Sequence, residues 1–158
     1  MKFFTFTALT ALVASVSAGT SNVKLTTVSG NREVSDLGFS ALHEGAGFNY
    51  IRAASGPTET YQYDEEKKTL FMQAGKFPYR FGIVNGIAQF GVNGFNEVEF
   101  KTDESGRELL TVNGSPDGFY VCKNINDPYN FSKDSYFLVT DPSNKDDCAE
   151  VLVQKADE

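Results

Sequence analysis

The stretch GFYVCKNINDPYNFSKDSYFLVTDPSNKDDCAEVLV, residues 118–153, carries the most strand-like pattern of the chain. It contains both cysteines, Cys122 and Cys148, and a good N-glycosylation signal, Asn130-Phe131-Ser132. Its apolar runs are short, rich in aromatic and β-branched residues, and bounded by residues that favour turns. Such runs are typical of β-strands rather than helices.

The same pattern continues through the rest of the chain. Residues 22–28 alternate between polar and apolar, and residues 48–53 form a second short run before a Ser-Gly-Pro break. Asn85-Gly86 lies between two apolar runs, which predicts a two-residue β-hairpin. We find no capped amphipathic run of helical length. The sequence therefore predicts an all-β domain.

Three segments of similar pattern begin at Phe39, Phe81 and Phe119, spaced 42 and 38 residues apart. Each contains a charged turn, and these turns begin at Asp64, Asp103 and Asp141. Three units of about 40 residues predict a β-trefoil-like domain, because one unit alone could not bury its apolar face. A β-sandwich or another small barrel is the alternative. In a trefoil, residues 22–28 would pair with residues 151–154 and close the barrel.

The N-terminus has the layout of a secretory signal peptide, which we assign to residues 1–18. Met1-Lys2 precedes the apolar run FFTFTALTALV, and small residues follow at Val16-Ser17-Ala18. The run is too short to span a bilayer of about 30 Å. We expect a secreted protein whose single domain is residues 19–158, with no membrane association after cleavage.

The net charge of −7 disfavours binding to polyanions, so we expect no nucleic-acid partner. Two cysteines in an oxidising compartment favour a Cys122–Cys148 disulfide. A metal site or a reactive cysteine would need a nearby histidine or base, and the only histidine, His43, is distant in sequence. We expect no metal ion and no cofactor.

The sequence contains no recognisable catalytic group, and we expect no enzyme activity. The acidic side chains lie mostly in predicted turns, where solvated carboxylates are more common than catalytic pairs. Six tyrosines are candidates for stacking on sugar rings, although packing in the core is the simpler interpretation: Tyr50, Tyr61, Tyr63, Tyr79, Tyr129 and Tyr136. Asn130 is the predicted glycosylation site, since Pro116 follows the other signal at Asn113.

The second half of the chain resembles the phialide-type and Pir-type domains of fungal cell-wall proteins. The resemblance lies in Phe119-Tyr120-Val121-Cys122, Tyr129-Asn130 and the run from Asp147-Cys148 to Leu152, together with residues 82–90. The chain has no Pir repeats, and it has two cysteines where Pir-type domains usually have four. The resemblance implies a non-catalytic structural or surface protein of the fungal wall. The alternative is a carbohydrate-binding module for wall polysaccharides.

Overall fold

A computed structural model describes residues 19–156, and the predicted signal peptide lies outside this range. The described chain is an all-β domain in which the only helical turns are two short 3-10 helices, Phe131–Lys133 and Lys145–Asp147. The strands are β1 (Thr20–Val28), β2 (Gly38–Gly45), β3 (Phe48–Ala54), β4 (Thr60–Asp64), β5 (Thr69–Ala74), β6 (Phe77–Val84), β7 (Ile87–Gly91), β8 (Val98–Thr102), β9 (Glu108–Val112), β10 (Phe119–Cys122), β11 (Tyr136–Val139) and β12 (Cys148–Ala156). The predicted all-β class is confirmed.

The first and last strands close the sheet into a barrel. β1 pairs antiparallel with β12, from Lys24 opposite Ala156 to Val28 opposite Leu152. This pairing was predicted from the sequence and is confirmed. The closed ring contains nine strands in the order β1-β4-β5-β6-β7-β3-β11-β10-β12. The architecture agrees with the barrel alternative, and closure removes the open edges that a flat sheet would expose.

Three hairpins, β2–β3, β6–β7 and β10–β11, are joined to one another by strand pairing. Their second strands pair with one another: β3 with β7, β7 with β11, and β11 with β3. The predicted hairpin turn joins β6 to β7, where Asn85 and Gly86 have φ values of 51° and 77°. Positive φ at both positions is what a type I′ turn requires.

Burial alternates along the strands, so that every second residue contributes its side chain to the core. In β1, Val23, Leu25 and Thr27 point inward, and in β12 Val151 and Val153 do the same. Phe39, Phe81 and Phe119 lie in the first strand of each hairpin, and each is at most 1% exposed. The residues with which the three similar segments begin therefore form part of one shared core.

Two details differ from the sequence interpretation. In the sequence, the polar and small residues His43-Glu44-Gly45 indicate an end to the run that begins at Phe39, but β2 continues through them with an irregularity between His43 and Gly45. The turns at Asp64 and Asp103 join β4 to β5 and β8 to β9, whereas Asp141 lies between β11 and β12. Since β4 pairs with β5 and β8 pairs with β9, whereas β11 and β12 are not paired with each other, Asp141 does not occupy the position of the other two.

Candidate binding groove and a buried carboxyl pair

Of the six tyrosines predicted as candidates for sugar stacking, two are buried, three are half-buried and one is exposed. Tyr61 and Tyr63 belong to the core at 0% and 8% exposure. Tyr61 stacks on Phe90, and Tyr63 donates its hydroxyl to the carbonyl of Val98. Tyr129 is the exposed member of the set, at 54%. The packing interpretation therefore holds for two tyrosines, and one remains available to a ligand.

Phenylalanines, which the sequence interpretation did not single out, line a groove of about 580 Å³ on the outer face of β4, β5 and β6. We call this surface the aromatic groove. Its lining comprises Thr20, Asp64, Lys67, Thr69, Phe71, Gln73, Pro78, Arg80, Phe95 and Glu97. Apolar ring faces therefore alternate with hydrogen-bonding side chains along an open channel.

The strand register brings the floor of the aromatic groove together. Phe71 lies opposite Arg80 and Gln73 lies opposite Pro78, so these four residues share one face of the β5–β6 pair. Leu70, next to Phe71, points the other way and is fully buried. The same alternation that builds the core thus places Phe71 and Gln73 on the outer surface.

The wall of the groove is Phe95, which is held by the loop between β7 and β8. Asn96 donates its backbone N–H to the carbonyl of Phe81, and its side-chain Oδ1 accepts the N–H of Ile83 at 2.8 Å. The guanidinium of Arg80 lies over the Phe95 ring, 5.2 Å from its centroid. Because these contacts fix the loop on β6, the half-exposed Phe95 ring has a defined position.

The charges of the groove are balanced. Lys67 Nζ lies 2.9 Å from Asp64 Oδ2, and the hydrogen bond from the Lys67 side chain lowers the pKa of Asp64. Arg80 and Glu97 contribute one charge of each sign. The groove therefore lacks the excess positive or negative charge that a strongly ionic ligand would need.

A second feature is a pair of buried carboxyl groups contributed by distant parts of the chain. Glu44, on β2, is 1% exposed, and Asp127, in the segment between β10 and β11, is 3% exposed. The charge of Asp127 acts on Glu44 and raises the pKa of the Glu44 carboxyl. Two neighbouring buried carboxyl groups disfavour a charge on both, because adjacent buried anions repel strongly.

The two carboxyl groups have different environments. Asp127 Oδ2 accepts the N–H of Phe131 at 2.7 Å, and Oδ1 accepts the N–H of Ser132 at 3.0 Å together with its hydroxyl. Glu44 Oε2 accepts only a long hydrogen bond from the Tyr129 N–H, at 3.3 Å. Glu44 Oε1 is buried without a partner among the described residues.

These environments separate the pKa values of the pair. Burial raises the pKa of Glu44 from its ordinary 4.5 to about 7, because it outweighs the hydrogen bond from the Tyr129 N–H, which lowers the pKa; the charge of Asp127 adds a smaller increase. Burial also acts to raise the pKa of Asp127, but the hydrogen bonds from Ser132 and Phe131 outweigh it and lower the pKa. Asp127 is therefore the anion, and Glu44 carries the proton at acidic pH.

The two cysteines lie directly opposite each other on β10 and β12 and form a disulfide. Asn130 is exposed and precedes the first 3-10 helix with φ 58°, and its backbone N–H donates to the carbonyl of Asp127. Its side chain faces solvent next to the exposed rings of Tyr129 and Phe131. Glycosylation at Asn130 stays a prediction.

Comparison with known proteins identifies the family of the chain. It is 30% identical over 155 residues to Cell wall protein RHD3 of Candida albicans, a match that covers 94% of this chain and 71% of RHD3. The chain belongs to this family of fungal cell wall proteins. Two further members from the same organism, Cell wall proteins PGA31 and PGA30, are each 40% identical over 144 and 145 residues.

Membership of this family supports a cell-wall or extracellular location for the protein. The chain spans about half the length of PGA31 and PGA30, at 48% and 50%. No protein-family model matches the chain, and no solved structure matches it significantly. The finer resemblance to phialide-type and Pir-type domains therefore stays a prediction. Within residues 19–156, no helix has the length and apolar character needed to cross a membrane.

Proposed function

We propose that the protein is a non-catalytic structural component of the fungal cell-wall surface. The observation that supports the proposal is membership of the family of Candida albicans cell wall proteins. Glycosidases hold their two carboxyl groups about 5 to 9.5 Å apart in an open cleft, so that a sugar or a water fits between them. The carboxyl groups of Glu44 and Asp127 are both buried, and Asp127 accepts hydrogen bonds from its own segment.

The test is a wall fractionation combined with an activity screen. An epitope-tagged protein is expressed in a fungal host, and its amount is compared in purified walls, membranes and medium. The secreted protein is then incubated with soluble β-glucan, mannan and chitin fragments. We expect it in the wall fraction without cleavage of any polymer. Retention inside the cell, or turnover that a carboxyl substitution abolishes, would contradict the proposal.

A second candidate function is carbohydrate binding, and the aromatic groove favours it. Sugar rings present apolar C–H faces and equatorial hydroxyls, which suit an aromatic surface flanked by hydrogen-bonding groups. Phe71 and Phe95 supply the rings, and Gln73 and Asp64 supply polar atoms beside them. The balanced charge fits a neutral polysaccharide rather than a charged one. We therefore name neutral wall glycans as the ligand class.

A sedimentation assay tests this binding. The mature protein is mixed with insoluble β-glucan, chitin or mannan particles, and the bound fraction is measured across ionic strengths. Binding through ring faces and neutral hydroxyls should persist at high salt, because screening weakens only interactions between charges. Absence of retention on all three polymers would remove the binding function and leave the structural role.

We also propose that the three similar segments form a β-trefoil. The mutual pairing of β3, β7 and β11 supports a threefold arrangement, and so do the equivalent places of Phe39, Phe81 and Phe119 in the three hairpins. In this assignment each unit has four strands, and the barrel strands of the second unit meet where Val98 N–H donates to the Lys68 carbonyl at 2.8 Å. A crystal structure in which the three units do not superpose after threefold rotation would reject it.

Two processing events complete the proposal. The signal peptide, residues 1–18, is removed, so that Edman sequencing of the secreted protein begins at Gly19.

Asn130 carries an N-glycan, so the chain around Asn130 faces solvent and the wall. Treatment with an endoglycosidase should lower the apparent mass of the wild type and of Asn113→Gln, but not that of Asn130→Gln. A shift that persists in Asn130→Gln would place the glycan elsewhere.

A further inference from the structure

The chain between β10 and β11, which we call the segment 123–135, folds around one serine. Ser132 is 1% exposed and takes part in four hydrogen bonds within the segment. Its backbone N–H donates to Asp127 Oδ1 at 3.0 Å, and its carbonyl accepts the N–H of Asn124 at 2.9 Å. Its hydroxyl accepts the N–H of Ile125 at 3.1 Å and donates to Asp127 Oδ1. The N–H, the carbonyl and the hydroxyl of Ser132 are therefore all engaged inside the protein.

Ser132 is also the third residue of the glycosylation signal Asn130-Phe131-Ser132. The signal requires a hydroxyl at this position. The enzyme that transfers the glycan must therefore reach the hydroxyl before it can act on Asn130. In the folded segment this hydroxyl is buried and bonded to Asp127, which is itself only 3% exposed. Folding thus hides one of the two side chains that the enzyme needs.

The other side chain of the signal, the amide of Asn130, has the opposite environment. Asn130 is exposed, and its side chain makes no capping hydrogen bond to the 3-10 helix that follows. Its backbone is held at φ 58°, and its N–H donates to the Asp127 carbonyl at 3.1 Å. A glycan that is already attached to Asn130 therefore fits the folded segment, although the folded segment is closed to the transfer itself.

We propose that Asn130 is modified only before the segment 123–135 folds, and that folding around Ser132 ends the transfer. This inference rests on the proposed glycosylation of Asn130. The donor is an oligosaccharide linked to a lipid through a diphosphate. Asn130 Nδ2 forms a bond to the first sugar carbon of the donor, the bond from that carbon to the diphosphate breaks, the lipid diphosphate leaves, and the amide loses one proton.

The hydrogen bonds of Ser132 are local, so the segment can close early. Their partners reach no further back in the sequence than Asn124. The disulfide around the segment must wait for Cys148, which follows Asn130 by 18 positions and is synthesised about 1 to 4 s later. Loops of about 10 residues close far faster than this. The modified fraction is therefore set by competition between transfer and local folding, and it stays fixed after secretion.

This order of events gives two forms of the protein. Molecules that are modified in time carry a glycan between the exposed rings of Tyr129 and Phe131, whose centroids are 6.0 Å apart. Molecules that fold first present the same two rings without a glycan, and they keep that form. One chain therefore supplies the wall with a glycan-covered surface and a bare aromatic surface at the same site.

Glycan transfer to the full mature chain in vitro tests the proposal. The chain is produced without glycans in bacteria, oxidised to form the disulfide, and incubated with a purified oligosaccharyltransferase and a lipid-linked oligosaccharide. The unfolded substrate is the same chain, reduced and alkylated, in urea that unfolds it and leaves the enzyme active. A short acceptor peptide in both buffers corrects for the effect of urea. We expect the native chain to be modified at least about a hundredfold more slowly, because access to Ser132 requires several hydrogen bonds to open together.

Asp127→Ala separates access to Ser132 from the rest of the fold. It removes the acceptor of the Ser132 N–H and hydroxyl, and it leaves the three residues of the signal unchanged. The native variant should be modified at least about tenfold faster than the native wild type, whereas the two unfolded chains should react at equal rates. Asp134→Ala, which changes an exposed aspartate of the same segment, is the matched control and should behave as the wild type. The native and unfolded wild type decide the question by themselves should Asp127→Ala not fold.

Three outcomes would overturn the proposal, each at a different step. Equal rates for the native and the unfolded wild type would show that folding does not hinder transfer. A native Asp127→Ala that reacts as slowly as the native wild type would show that the bond between Asp127 and Ser132 does not control access. An unfolded chain that is not modified at Asn130 would refute the glycosylation itself, and this inference with it.

Discussion

The backbones of Gly82 and Gly94 pass so close to each other that neither β6 nor the loop after β7 can shift independently. A β-carbon on Gly82 would overlap the carbonyl oxygen of Gly94 and lie 2.8 Å from its carbonyl carbon. Together with the hydrogen bonds of Asn96, this contact fixes the residue that forms the wall of the aromatic groove, Phe95. The groove is therefore built by backbone packing as much as by its own side chains.

Gly82→Ala should push the loop away from β6 and destabilise the protein. Its methyl group would meet backbone atoms, which cannot rotate aside, and overpacking of this kind costs about 1 to 3 kcal/mol. Urea unfolding measures the loss. Gly30→Ala is the control, because Gly30 is exposed with no atom within 4 Å of an added β-carbon. Equal stability of the two variants would mean that the loop adapts freely.

Removing the disulfide should destabilise the barrel without changing its fold. Cys122 and Cys148 are separated by 26 residues, and closing such a loop in the unfolded chain contributes about 3.5 kcal/mol in the chain-entropy description. We expect the melting temperature of the wild type to fall in reductant. The variant carrying both Cys122→Ser and Cys148→Ser should melt at that lower temperature in either buffer. A wild type insensitive to reductant would argue that the bond makes no contribution.

Local patterns predicted much of the fold. Asn85-Gly86 predicted its hairpin because the φ values of a type I′ turn select these residues. The pairing of β1 with β12 was predicted from barrel closure, because joining the first and last strands removes exposed sheet edges. Asp141 was matched with Asp64 and Asp103 because an acidic turn after a strand looks the same in sequence whether or not the two strands that it joins pair with each other.

Local sequence patterns could not predict the candidate sites. Glu44 and Asp127 are 83 positions apart in the sequence, and they meet only after β2 and the segment 123–135 have folded. One signal was present for Asp127, because an aspartate before Pro128 and four residues ahead of Phe131 is suited to accept backbone N–H groups. Glu44 gave no such signal, since its charge placed it in an expected turn.

The stability of the protein should fall as the pH rises from 4.5 through 7. The pKa of Glu44 is about 7 in the folded chain and 4.5 when unfolded, so folding takes up a proton between these values. The contribution is complete below 4.5 and lost above 7, and the difference corresponds to about 3 kcal/mol. Urea midpoints from pH 4 to pH 8 measure the slope. Glu44→Gln should make the free energy of unfolding less dependent on pH. If this substitution leaves the pH dependence unchanged, the dependence comes from other groups.

Phe95→Ala should weaken binding to wall polysaccharide without unfolding the protein. The Phe95 side chain is 52% exposed, so its truncation removes little core packing, but it removes one of two ring faces in the groove. An aromatic contact of this kind is worth about 0.5 to 1.5 kcal/mol, which corresponds to roughly a two- to tenfold loss of affinity. Sedimentation with the polymer that retains the wild type measures the change.

Phe77→Ala is the matched control for this loss. Phe77 is 69% exposed on the hairpin that joins β5 to β6, and it does not line the groove. Both substitutions remove a phenyl ring from a solvent-exposed site. Nonspecific adhesion through exposed rings would therefore weaken in both variants. Binding in the groove would weaken in Phe95→Ala only. Equal losses in the two variants would refute the assignment of the groove as the glycan site.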